Sequence, residues 1–185
     1  MRLDFEMLLS MIKDSERYKE MYERFRAISE LEQYTLLTPP FKPDDVRELL
    51  TEAQKKLKFR FSQDYYLFLK CCDGGLLFTN ALFSVCSPED VNGDLTEMNL
   101  YLRQEGTIPK ESAAIGMTNY GGWIVQRASG KNGMGIWDPD EGNGEGGYVA
   151  QFDTFYDWLD DTVQEARYLM QTDALPVIED PDDEA

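Results

Sequence analysis

Ser62-Gln63-Asp64-Tyr65-Tyr66-Leu67-Phe68-Leu69-Lys70-Cys71-Cys72-Asp73-Gly74-Gly75 is the stretch at which the chain changes from helical to extended texture. Ser62 is placed to cap a helix, and Asp64 falls in a first turn, where the backbone dipole favours an acid. Tyr65, Phe68, Leu69 and Cys72 recur at three- and four-residue steps, so one face of the helix is apolar. Gly74-Gly75 then stops it, because glycine takes the left-handed backbone that ends helices.

Upstream, Val46, Leu49, Leu50, Ala53 and Leu57 form another helical stripe, with Pro43, Asp44 and Asp45 at its positive end and Lys55, Lys56 and Lys58 at its negative end. Thr38-Pro39-Pro40 closes whatever precedes it, since proline lacks an amide proton and turns its predecessor extended. Tyr18, Met21, Tyr22, Phe25, Ile28 and Leu31 mark an earlier amphipathic helix. The apolar residues between Leu3 and Ile12 are too dense for spacing alone to separate them from it.

Downstream of Gly75, short extended segments are predicted at 76–78, 81–85, 113–117, 123–127, 134–137 and 148–152, divided by Gly, Asn, Pro and Asp. Their short connections favour antiparallel pairing, with Asn132-Gly133 in the turn between the fourth and fifth. Residues 95–102 carry a weaker helical pattern. The last helix starts at Asp153 or Thr154 and places Phe155, Leu159, Thr162, Val163, Ala166 and Met170 on one face. The fold class expected is α+β: N-terminal helices, a central antiparallel sheet of about five or six strands, and a C-terminal helix packed on the sheet. Residues 1–170 read as one domain, and 171–185 as an acidic, disordered tail with no base and too little apolar material for a core.

The 185 residues include 35 acids, 18 bases and no histidine, for a formal net charge of -17. Lacking histidine, the chain cannot build Ser-His-Asp or Cys-His nucleophiles or His-ligated metal sites. Strong negative charge excludes phosphate-backbone binding, which requires clustered Lys and Arg, and favours a basic protein partner. Residues 1–137 hold 20 acids and 17 bases, whereas 138–185 hold 15 acids and only Arg167, so the excess is concentrated at one end. Three cysteines, Cys71, Cys72 and Cys86, make no pairing framework. With no apolar run approaching the ~20 residues a bilayer needs, the protein reads as cytoplasmic and not membrane-bound.

The stretch from Ser62 to Gly75 resembles the hallmark of the SUKH superfamily, in which a short helix carries Tyr65, Phe68 and Leu69 and ends on Gly74-Gly75 before a strand. Phe61-Ser62 replaces the family's Leu-Pro-like start, and Asp73 stands where Asn is common. Ala114-Ile115-Gly116, Gly135-Ile136-Trp137-Asp138 and the run from Val149 through Phe155 to Leu159 follow in the family's order, so the resemblance covers about residues 40 to 170; the helix within 1–34 and the tail fall outside it. It implies Tyr65, Phe68, Leu69, Gly74, Gly75, Gly116, Trp137, Phe155 and Leu159 as structural positions and no catalytic residue. It further implies a protein-binding domain, either an immunity protein that silences a toxin or a regulator of cell-wall glucan synthesis.

The candidate partner-binding residues are acidic and aromatic. Asp138, Asp140, Glu141 and Glu145 lie in a glycine-rich loop between strands, and Asp157, Asp160 and Asp161 lie on the exposed side of the last helix. Tyr120 and Trp123 flank Gly121-Gly122 and could anchor an interface. The expectation is a basic, nuclease-type toxin domain as partner, with carboxylates occupying the places of phosphates. No cofactor is implied: the loop from Asp138 fails the EF-hand register, offering Gly142, Asn143 and Val149 where ligand, glycine and glutamate are required. Asp160 and Asp161 point about 100° apart on a helix, which excludes a facing catalytic pair.

Overall fold

The computed structural model describes residues 2–40, 42–86, 93–128, 133–141, 146–172 and 174–178. Two helices open the chain, α1 (Phe5–Ile12) and α2 (Lys19–Ser29). The dense apolar run at the N-terminus is therefore a helix of its own, capped by the Asp4 carboxylate on the Met7 amide at 2.9 Å. Ser15, in extended conformation, separates the two. α3 (Val46–Leu57) and α4 (Gln63–Leu69) follow the sequence signals closely: Lys58 ends α3 in the left-handed region, and Ser62 Oγ accepts from the Tyr65 amide at 3.2 Å. α5 (Leu95–Gln104) runs two residues past its expected end, and α6 (Phe155–Gln171) starts from a Thr154 cap closed reciprocally by Asp157.

Among the described residues the sheet has seven strands where about five or six were expected, in the order β1 (Thr35–Leu37), β2 (Gly75–Leu77), β3 (Asn80–Leu82), β4 (Ser112–Met117), β5 (Trp123–Arg127), β6 (Met134–Asp138) and β7 (Gly147–Phe152). Every neighbouring pair is antiparallel, so the sheet is a meander. The unforeseen strand is β1, three residues just ahead of the proline stop. It explains Gly75, whose φ of +108° suits glycine and where any Cβ would run into the Leu36 carbonyl of β1. Gly116 likewise admits the Ala81 carbonyl of β3. Of the predicted Asn132-Gly133 turn, Asn132 lies outside the described residues.

The residues singled out by family resemblance are mostly core. Tyr65, Phe68, Leu69, Phe155 and Leu159 are buried. Phe25 stacks on Phe68 with ring centres 5.6 Å apart, Phe68 meets the edge of Phe155 at 5.3 Å, and Phe155 contacts Trp158 at 5.4 Å. This aromatic chain joins α2, α4 and α6, and losing one such ring to alanine costs about 3–5 kcal/mol. Cys71 and Cys72 are buried beside it, and burial pushes the Cys71 thiol up to about 12, so it stays protonated and unreactive.

Beyond α6, Leu175 is buried and the Ile178 amide donates to the Gln33 carbonyl at 3.1 Å. The expectation of a disordered tail falls otherwise on residues 173 and 179–185, which lie outside the described residues.

Candidate protein-interaction surface

The surface is built where β5 begins and β6 ends. Trp123 and Trp137 are register partners, so the turn after β4 and the loop after β6 leave the sheet side by side. That turn is fixed by Thr118, whose amide donates to the Gly122 carbonyl at 2.8 Å while its hydroxyl accepts from the Gly122 amide at 3.0 Å. Tyr120 stands at the tip, 61% exposed. The two tryptophans serve packing more than display: both are half-buried, Trp137 donates its indole N–H to the Thr107 carbonyl at 2.8 Å and meets the Tyr148 ring at 5.0 Å, and Trp123 lies 6.4 Å from Phe83.

Asp138 closes β6 and accepts the Asp140 amide at 2.9 Å, turning the chain outward so that Asp140 and Glu141 are exposed. The Glu141 carbonyl accepts the Gly146 amide at 2.9 Å, which brings the loop back to β7. Glu145 lies outside the described residues.

α6 starts at the other end of the sheet. β7 pairs Gly147 with Asp138 but Phe152 with Met134, so Phe155 enters the helix beside Met134 and the 17 residues run back toward Asp138. Asp157, in the first turn, is thus remote from the loop, and its carboxylate holds the Thr154 amide at 3.0 Å and hydroxyl at 2.7 Å. Asp160 pairs with Arg24 of α2 at 2.7 Å, and the same guanidinium lies 4.2 Å from the Tyr156 ring. Asp161 is exposed, and one turn on Glu165 points the same way. The Tyr120 hydroxyl is held above its usual pKa, first by partial burial, against the lowering effect of its hydrogen bond with Thr118; the carboxylates of Glu165 and Asp138 then add to the rise.

Of the expected acidic and aromatic residues, the structure brings together Tyr120, Trp123, Asp138, Asp140 and Glu141, leaves Asp161 exposed on α6, and engages Asp157 and Asp160 elsewhere. Glu165, a four-residue step beyond Asp161 on the same helix face, lies within electrostatic reach of the group; that step gives its direction but not its neighbour. The arrangement can present carboxylates around an aromatic ring. Among the described residues no group of three or more Cys, Asp or Glu is placed to hold a metal ion. No described helix is long and apolar enough to cross a membrane.

Residues 47–161 match the family model described as SMI1 / KNR4 family (SUKH-1). No curated protein matches the chain.

Proposed function

The chain belongs to the SMI1/KNR4 family (SUKH-1), a family of protein-interaction domains, and we propose that it is an immunity protein that silences a basic, nuclease-type toxin domain in the cytoplasm by covering its active site. It makes and breaks no covalent bond in this role. The observation that carries the reading is the exposed Tyr120 at the tip of the turn before β5, beside the end of β6 from which Asp138 leads out to the exposed Asp140 and Glu141, with Glu165 within electrostatic reach of the ring. Carboxylates fixed at the rim of an exposed ring can bond Lys and Arg in a phosphate-binding cleft, while the ring supplies buried area. Their field also steers a cationic partner and speeds its encounter.

The test is kinetic. The toxin domain captured by the tagged chain from the producing cell is purified, and association is followed by stopped flow at low and high salt. Reversing Asp138, Asp140 and Glu165 to lysine is expected to slow association at least tenfold, flatten its salt dependence and release the toxin's nuclease activity. Unchanged association and inhibition overturn the reading.

A second reading, a regulatory scaffold in cell-wall glucan synthesis with the acids serving solubility, is favoured by one observation: Asp157 and Asp160 act within the chain, as cap and ion pair, rather than toward a partner. Under that reading the triple reversal leaves partner association intact and lowers solubility.

A further inference from the structure

Arg17, Arg47 and Arg60 line a single groove of roughly 380 Å³, set between the 3₁₀ turn Glu16–Tyr18, α3 and the start of α4. None of its ten lining residues is acidic, in a chain where acids outnumber bases 35 to 18. The grouping therefore runs against the composition.

Elsewhere arginines have oxygen partners. Arg24 holds Asp160, Arg26 holds Glu23, Arg167 holds Glu30, and Arg103 donates to the Leu57 and Ser112 carbonyls. Among the described residues no ion pair engages Arg17, Arg47 or Arg60. Arg17 is held at the groove by ring faces, its guanidinium 5.7 Å from Tyr66 and 5.8 Å from Tyr18. Such stacking leaves the in-plane N–H donors free for a carboxylate. Gln54 adds to the donors: its Oε1 accepts from the Phe61 amide at 3.0 Å, which leaves its NH₂ group to bond outward.

Spacing decides what the groove can take. Arg47 lies in the first turn of α3, and the Phe61–Gln54 bond folds Arg60 back to about the level of Gln54. Seven residues of helix separate those levels by about 10 Å at 1.5 Å per residue. That is too far for one phosphate to satisfy both, but it matches carboxylates three residues apart on a chain in the extended polyproline II conformation, whose three residues per turn at about 3.1 Å each return them to one face. The geometry points to a docking groove for an extended, Asp/Glu-rich segment of a partner protein, whose carboxylates bond the three arginines in succession.

The overall charge of -17 does not forbid this. Charges are screened beyond about 8 Å at physiological ionic strength, and the groove is remote from the acidic surface. The Ser62 amide donates to Gln126 Oε1 at 3.0 Å, tying the groove to the far end of β5, whereas Tyr120 and Asp138 lie at its start. The groove is thus a second contact surface, independent of the first.

The probe is a fluorescent peptide, Glu-Ser-Ser-Glu-Ser-Ser-Glu, titrated with the full chain and followed by anisotropy. Saturable binding that weakens with salt, and at least tenfold in the Arg47→Glu/Arg60→Glu double variant with an unchanged melting temperature, is the expected result. If that variant melts early, Arg47→Gln/Arg60→Gln replaces it and must weaken binding in the same direction. Absence of binding at low salt, binding indifferent to both variants, or inorganic phosphate binding more tightly than the peptide and displacing it overturns the proposal. So does a dimer in sedimentation that the double variant dissolves while the peptide fails to bind, because the groove would then belong to a second copy.

Discussion

Asp73 stands in the sequence where the family commonly has Asn, and its carboxylate is 1% exposed and accepts from the Ser84 hydroxyl at 2.7 Å, the Val85 amide at 2.7 Å and the Cys86 amide at 2.8 Å. It ties the end of α4 to the chain leaving β3. A buried carboxylate is tolerated only when its oxygens are filled in this way. Asp73→Ala would take the acceptor from the Val85 and Cys86 amides, and hydrogen bonds to a charged group are worth about 1.5–3 kcal/mol each. The expected loss is about 3 kcal/mol or more in urea denaturation, with Asp73→Asn losing less because one acceptor oxygen survives. A loss under about 1 kcal/mol would mean the donors find water instead. The sequence could not show this, because Ser84 and Cys86 are brought to Asp73 by the β2–β3 hairpin.

At the scale of elements, α5 stands in for missing strand. β3 pairs with β4 at Gly116 and Met117, the Phe83 amide that follows β3 adds one bond to the Ile115 carbonyl, and the register slips between Ala114 and Gly116. Past that bulge the edge of β4 is covered by side chains: Asn99 donates to the Ala114 carbonyl and accepts the Ala114 amide, each at 2.7 Å, and Arg103 donates to the Ser112 carbonyl at 2.7 Å. One primary amide thus does the hydrogen bonding of a neighbouring peptide group. Asn99→Leu keeps the bulk and orphans both Ala114 groups at about 1–3 kcal/mol apiece. The expected result is a loss of about 2–4 kcal/mol, with faster hydrogen exchange at the Ala114 amide than at the Val125 amide; equal protection at the two would show the edge is covered otherwise. α5 was the weakest helix in the sequence for a related reason: its inward face carries Asn99 and Arg103, so apolar periodicity alone undervalues it. β1 was invisible because its partner β2 lies beyond α3 and α4, whereas β2 and β3, equally short, are joined by a tight turn that marks them as a hairpin.

For the whole molecule the excess of acids over bases predicts that self-repulsion outweighs the internal ion pairs. Among the described residues the Arg24–Asp160 ion pair engages an acid of the C-terminal third, and surface pairs contribute at most about 1 kcal/mol each. Raising sodium chloride from about 10 to about 200 mM shortens the screening length several-fold, so the melting temperature should rise. A fall would show that paired charges dominate. The proposed acidic surface and the proposed arginine groove sit at opposite ends of β5, the first at Trp123 and the second beyond Gln126, so partners of opposite charge would not compete for one face.

The local pattern by itself determined α3, α4 and α6, six of the seven strands and the buried ring positions, because caps, stops and apolar spacing act over a few residues. Tertiary structure alone decided which acids are available. Asp160 is taken by Arg24, 136 positions away in the chain, while the length of α6 and the direction in which it leaves β7 bring Glu165 within electrostatic reach of Tyr120. The charge of a side chain is written in its identity, but whether that charge faces solvent, a cap or a cation depends on what the fold carries to it from distant sequence.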